Sequence, residues 1–371
     1  MASRPHRGSV ATGSGRRRAA LACAILVGVD SASYDAVLLV SFGGPESRED
    51  VIPFLENILR GKPVPRSRLL EVAEHYYGFG GRSPINDQNR ALIRALRAEL
   101  VARGPGLPVY WGNRNWHPLL PDALRAMKVD GVRRAIAFVT SAFSSYSGCR
   151  QYRENIEDAR RAVVGDAPRV DKIRPFFNHP GFVASMADRV ASAVAKLDSG
   201  DPEALKVLYT AHSIPTSMAA TCRYVEQLRE SSRLVSAAAG IADWELVFQS
   251  RSGPPWQPWL EPDVLERLRC LPAEGVKRVC VAPIGFLSDH VEVLYDLDTE
   301  AASVAAARGI ALVRAGTVGT HPRFVSAVRD LIAERVDGGP VRATVGNLPA
   351  CPDVCPVDCC SPPPRPNLPR R

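Results

Sequence analysis

Long apolar runs are scarce in this sequence. The best candidate, Ala19-Ala-Leu-Ala-Cys-Ala-Ile-Leu-Val27, falls short of the roughly 20 residues that a membrane-spanning helix needs, and no other segment qualifies. Aromatic residues make up only 7% of the chain and nowhere alternate with basic ones as in a nucleic-acid motif, so nucleic acid is not an expected partner. Charge of one sign is less abundant than the formal +8 suggests. Residues 1–33 carry five arginines (Arg4, Arg7, Arg16, Arg17, Arg18) against one acid, Asp30, so about half of the excess lies in a terminal stretch. An even, regular set of cysteines is also missing. Nine cysteines in a chain of 371 residues, crowded only at Cys351, Cys355, Cys359 and Cys360, exclude a secreted disulfide scaffold.

What remains is the composition of an ordinary globular protein, long enough for about two domains. Residues 1–33 have the outline of a signal peptide: Arg16-Arg-Arg18, the apolar stretch, then small residues at Ser31-Ala-Ser33. The reading preferred here is a disordered, low-complexity extension, because the C-terminal cysteines suit a reducing, cytoplasmic setting. Folded sequence starts with a buried strand at Asp35–Ser41. Short apolar strands recur at Pro108–Trp111, Arg134–Val139, Ala204–Ala211, Trp244–Gln249, Arg278–Ile284 and Ile310–Arg314. Helical periodicity fills the gaps at 51–59, 67–77, 86–103, 119–128, 180–198, 218–237, 260–270, 289–307 and 322–335. The alternation predicts an α/β fold with parallel sheets.

An internal repeat supports two similar domains facing each other across a cleft. Val37-Leu-Leu-Val-Ser-Phe-Gly-Gly-Pro45 matches Val207-Leu-Tyr-Thr-Ala-His-Ser-Ile-Pro215, and Arg134–Phe143 matches Arg278–Phe286, in the same order. The expected division is 34–178 and 179–338. The tail 339–371 is Pro-rich and aperiodic, hence disordered unless something pins it.

Chemistry concentrates after the strand at 278–284. There His290 precedes a predicted helix on which Glu292, Asp296 and Glu300, spaced i, i+4, i+8, line one side. A carboxylate row with an imidazole suits a divalent cation such as ferrous iron. The same residues also fit a solvated helix start, with Asp289 as N-cap and Glu292 completing a capping box. His212, at the end of the strand 204–211, can take protons or bind a borderline metal.

The ordered motifs Thr210-Ala-His-Ser-Ile-Pro215, Phe248-Gln-Ser-Arg251, Trp259-Leu-Glu-Pro262 and Ser288-Asp-His-Val-Glu-Val-Leu-Tyr-Asp-Leu-Asp298 resemble those of ferrochelatases. So do Ser41-Phe-Gly-Gly-Pro-Glu46, Gly80-Gly-Arg-Ser-Pro-Ile85 and Gly112-Asn-Arg-Asn-Trp-His-Pro118. The resemblance covers about 35–335 and implies insertion of ferrous iron into a porphyrin held between two flavodoxin-like, Rossmann-type domains. By that resemblance His212 and Glu292 are the paired active-site residues, with Asp296 and Glu300 extending the metal path. Ser83 and Tyr152 match substrate-contacting positions, Arg60 and Arg82 are candidates for the propionates, and Phe42 stands where some relatives carry an axial tyrosine. Actinobacterial members hold a two-iron two-sulfur cluster with one cysteine near Cys149 and three near the C-terminus. Here that implies Cys149, Cys355, Cys359 and Cys360, with Cys351 as substitute, and a zinc clip as the rival use of the same thiols. The cluster type points to coproporphyrin III as substrate, with protoporphyrin IX the alternative, and to a cytoplasmic monomer. A non-catalytic two-domain binding protein is the reading from another class.

Overall fold

A computed structural model describes residues 33–62, 64–197 and 205–362. The extension expected over residues 1–33, save its last residue, therefore lies outside the described residues. In chain order the first half holds β1 (Ala36–Ser41), α1 (Val51–Leu59), α2 (Arg66–Gly78), α3 (Ile85–Arg103), β2 (Val109–Asn113), α4 (Leu120–Val129), β3 (Arg134–Val139), α5 (Gln151–Arg161) and β4 (Arg169–Lys172). The second holds α6 (Pro180–Val194), β5 (Leu205–His212), α7 (Thr216–Ala219), α8 (Tyr224–Ala239), β6 (Trp244–Gln249), α9 (Val264–Cys270), β7 (Arg278–Ala282), α10 (Val291–Val293), α11 (Ala302–Ala307), β8 (Ala311–Arg314) and α12 (Pro322–Asp337). β4 and α5 are elements that sequence periodicity did not call. β4 is an edge strand of four residues, with Arg169, Asp171 and Lys172 among them, and offers no apolar run.

All strand pairs are parallel, in two four-stranded sheets ordered β2-β1-β3-β4 and β6-β5-β7-β8. The orders are identical after an offset of four strands. The repeated stretches therefore belong to equivalent strands, β1 with β5 and β3 with β7. Period-two alternation in each strand feeds two cores. Val37 and Leu39 of β1 join Leu96 of α3, Phe182 of α6, Tyr209 of β5, Leu228 of α8 and Phe324 of α12 in one continuous cluster reaching both sheets. Leu38 and Val40 face α4 and α5, through Leu124 and Ile156. On the second sheet Leu208 and Val281 face Leu268 of α9 and the segment around Leu297. Such strands, buried on both faces, read as continuous apolar runs, which is why they were visible in the sequence.

Two expectations need correction. The single helix 289–307 is instead a turn of α-helix, α10, then a π-helical stretch Leu294–Ala301, then α11. Its cap is His290, in an extended conformation and without a side-chain cap bond, so the Asp289–Glu292 capping box does not form. The tail is not free either. From 339 to 362 it is irregular but tied down: Asn178 Nδ2 donates to Leu348 O (2.7 Å), Glu230 Oε1 accepts from Asn347 N (2.7 Å), and Asp353 lies between Arg335 (3.1 Å) and Arg342 (2.5 Å). Polar pins of this kind leave no trace in hydrophobic periodicity.

Candidate active site

Three loops of the first half build one wall. Gly43 has φ +81°, and a Cβ there would stand 2.8 Å from Asn113 Cβ. A Cβ on Gly44 would stand 2.7 Å from Ser83 Cβ. Side chains are therefore excluded where Ser41–Glu46 meets the other two motifs. Amide pairs lock the contact: Asn86 Nδ2 donates to Gly44 O (3.2 Å) and Glu46 Oε1 (2.8 Å), and Asn113 Nδ2 donates to Asn86 Oδ1 (3.1 Å). Ser83 is buried beside this junction and its N–H donates to Pro45 O (2.9 Å). Tyr152 is buried, not on a helix surface, and its phenol is pushed up by burial. The Arg114 guanidinium stacks over Phe42 (5.4 Å) and Tyr152 (4.9 Å), bringing those two rings together around one cation. Arg60 is exposed just past α1. Arg82 is held on the surface by Asp87, at 2.6 and 3.1 Å. Arg114 was missed; its signal was its place inside a quoted motif.

The second half supplies a separate group of polar side chains. His212 ends β5, and its Nδ1 lies 2.5 Å from Ser213 O. A carbonyl oxygen only accepts, so Nδ1 carries a proton, and in the neutral ring Nε2 presents a lone pair. Nε2 stands 3.7 Å from Glu292 Oε2. His290 lies beside them, edge-on to Phe286 at 5.1 Å, and burial lowers its pKa. The sequence-predicted pair His212 and Glu292 is thus together, although 80 residues separate its members.

Behind Glu292 runs the acidic row. Asp296 accepts hydrogen bonds from Gln249 Nε2 (3.2 Å) and from Ser250 Oγ, both from the Phe248-Gln-Ser-Arg251 motif. Ser250 adopts a left-handed backbone, φ 61°, which aims its hydroxyl inward. Burial, with Glu292 adding to it, pushes the Asp296 carboxyl up to about 6. Glu300 is raised as well, first by burial and then by Asp263. The π-helical winding keeps Glu292, Asp296 and Glu300 on one side more nearly than an α-helix would, since its wider turn offsets the α-helical drift of roughly 40° per four residues.

The cysteines gather elsewhere. Cys149, Cys355, Cys359 and Cys360 line one cavity of about 180 Å³, with Lys172, Arg150 and Arg153 in its wall. Cys359 and Cys360 Sγ are 3.5 Å apart. Cys149 is drawn well below the ordinary thiol range, first by a hydrogen bond shared with Cys355, while Cys355 is raised by the same bond. Cys351 turns away from that cavity, toward Gln227 Nε2 (3.4 Å) and Ser144 Oγ (3.9 Å). Among the described residues no three His, Cys, Asp or Glu side chains converge on a single-ion site.

A family model described as ferrochelatase matches residues 34–336. The chain belongs to the ferrochelatase family. A protein from Rhodopirellula baltica named ferrochelatase is 58% identical over 328 residues, covering 88% of this chain and 93% of that one. Two relatives named coproporphyrin III ferrochelatase are 52% identical in Streptomyces griseus (89% of this chain, 94% of that one) and 51% identical in Mycolicibacterium smegmatis (85% and 94%). As a ferrochelatase it is an enzyme of metal insertion into porphyrin, which displaces the reading as a non-catalytic binding protein. No helix among the described residues is long and apolar enough to cross a membrane.

Proposed function

We propose that the chain inserts ferrous iron into coproporphyrin III to give its iron complex, in the cytoplasm and as a monomer. The observation that carries the reaction is His212 Nε2, a lone pair 3.7 Å from Glu292 with the acidic row behind it. Coproporphyrin III as substrate is supported by the relatives named coproporphyrin III ferrochelatase. Insertion requires that two pyrrole protons leave and that the ring bend toward the metal. His212 Nε2 takes one pyrrole proton at a time, the Glu292 carboxylate stabilises the imidazolium, and the ring passes each proton to solvent before taking the next. Glu292, Asp296 and Glu300 pass the iron inward, as oxygen ligands suit a hard divalent ion. Phe42, Ser83 and Tyr152 support the porphyrin face and edge. Arg60, with Arg114 beside it in role, meets the carboxylates, while Arg82 would have to leave Asp87 to do so. We read residues 34–178 and 179–338 as the two domains, on the strength of their matching strand orders.

The cysteine cavity fits a two-iron two-sulfur cluster held by Cys149, Cys355, Cys359 and Cys360. Four thiols share one cavity, one already drawn toward thiolate and flanked by cations. When bound, the cluster supplies a covalent link between the tail and α5's start; iron insertion itself is not a redox step.

The deciding experiment is an anaerobic assay offering ferrous iron with coproporphyrin III and protoporphyrin IX separately. Preference for coproporphyrin is expected. Preference for protoporphyrin would replace the substrate, and no insertion into either by folded protein would overturn the function.

A further inference from the structure

The segment carrying Glu292 belongs to the second half by sequence, and Val293 and Leu297 pack there, yet three of its residues are also held by the first half. Alternate residues divide the work. Val291 is buried in the cluster of α1 and α2, among Val51, Phe54, Leu55, Leu69, Ala73 and Tyr76. Tyr295 stacks face to face on His75 of α2, centroids 3.6 Å apart and planes 11° apart. Asp289 is held by Gln88 of α3: its N–H donates to Gln88 Oε1 (2.9 Å), and its carboxylate accepts from Gln88 Nε2 (3.3 Å). Between these anchors His290 and Glu292 are left to the site, whereas His212 stands on β5. The 3.7 Å spacing of His212 and Glu292 therefore depends in part on how the first half holds 289–295.

We infer that Gln88 is a positioning residue for metal insertion, fixing through Asp289 where Glu292 stands against His212. A carboxamide offers an acceptor and a donor in one plane. It thus serves both the Asp289 N–H, which no intrahelical carbonyl satisfies at a helix start, and the carboxylate beside it. Asparagine would reach one methylene less. Glutamate would keep the acceptor and set two carboxylates against each other, and leucine loses both contacts. Arg314 holds the other oxygen of Asp289 at 3.0 Å and Asp298 at 2.6 and 2.9 Å, so the aspartate is gripped from both halves. Displacement of a reacting group by about 1 Å costs up to roughly a hundredfold in rate. Loss of this grip acts on the rate step rather than on porphyrin binding, because the Gln88 amide bonds Asp289 and not Ser83 or Tyr152. The inference rests on the proposed iron insertion.

The test compares wild type, Gln88→Leu, Gln88→Glu and Gln88→Glu combined with Asp289→Asn. Steady-state insertion kinetics give kcat and KM; porphyrin affinity without iron comes from fluorescence quenching. Gln88→Leu should lower kcat roughly ten- to a hundredfold with porphyrin affinity unchanged. Gln88→Glu should do the same, and adding Asp289→Asn should restore most of the loss, because amide and carboxylate then exchange places. Wild-type kcat in Gln88→Leu, or a double variant no better than Gln88→Glu alone, overturns the inference. A crystal structure of Gln88→Leu separates this from failure of the proposed reaction. Glu292 displaced from its place 3.7 Å from His212 supports the positioning role even in a protein that inserts no iron, and Glu292 unmoved refutes it.

Discussion

At the scale of single residues, the site is decided by hydrogen bonds that choose atoms. The Ser213 carbonyl assigns the proton of His212 to Nδ1 and leaves Nε2 basic. A ring forced into the other tautomer would face Glu292 with a donor and could not accept a pyrrole proton. His212→Ala and Glu292→Gln should therefore each lower insertion at least about a hundredfold, with melting temperatures near wild type because both side chains are partly open to solvent. Substantial turnover in either would refute the assignment. Gln249 makes a separate prediction. Its amide holds Asp296 at 3.2 Å, one hydrogen bond of roughly 1 kcal/mol. Gln249→Leu should raise KM for iron about fivefold and leave KM for porphyrin alone, if Asp296 lies on the metal path. Equal change in both constants would remove Asp296 from that path.

At the scale of elements, the two halves share a device at helix starts. α6 and α12 both begin His-Pro, and in each the imidazole Nδ1 caps the helix: His179 accepts from Gly181 N (3.2 Å) and His321 from Arg323 N (3.3 Å). Proline at the first helical position costs nothing there, since that N–H would go unpaired. The cap requires a lone pair, hence a neutral ring. His179 is 1% exposed, and burial followed by the Arg174 charge lowers its pKa from 6.5 to about 4. Between those values the unfolded chain binds a proton that the folded chain refuses. Stability should therefore fall as pH drops from 6.5 toward 4, by up to about 3 kcal/mol from this group. His179→Asn keeps a capping oxygen and removes the titration. Urea melts at pH 7 and pH 4.5 should show a smaller acid loss in the variant; identical losses would mean that the buried ring does not govern the acid limb.

At the scale of the molecule, the tail is a strap across both halves. Cys359 O accepts from Arg150 in the first half (3.4 Å), and Ser361 O accepts from Thr221 in the second (3.2 Å). Its root is fixed by the Arg174–Glu334 pair. Arg174 is 1% exposed, bonded to both Glu334 oxygens at 2.9 and 3.0 Å, and donates to Ala343 O at 3.1 Å. Buried charges of this kind are strongly destabilising when one partner is lost. The proposed cluster would add a second fastening. Cys149→Ser should abolish visible absorption from an iron–sulfur centre and make the segment after Gly338 sensitive to trypsin. Retained colour in Cys149→Ser would exclude that cysteine as a ligand, and an equally protected tail would show that the Arg174 and Asp353 pins suffice.

The apolar strands of both sheets and the repeat were legible in the chain itself; His212, Glu292 and Asp296 stood out as candidates by their spacing and place after strands, and Cys149 only through the resemblance to ferrochelatases. Burial selects apolar runs, turns select glycine, and metal and proton chemistry select a few side chains, all of which leave marks in sequence order. Contacts between residues far apart in the chain left no such mark. The π-helical stretch places Tyr295 on His75 and Asp296 beside Ser250, contacts that its own residues do not announce. The pairing of Gln88 with Asp289 and the aim of Arg114 at Phe42 and Tyr152 were likewise decided by tertiary packing. The tail's order was decided the same way, because polar pins obey geometry rather than periodicity. Sequence determined which chemistry is present, and the fold determined which atoms of it face one another.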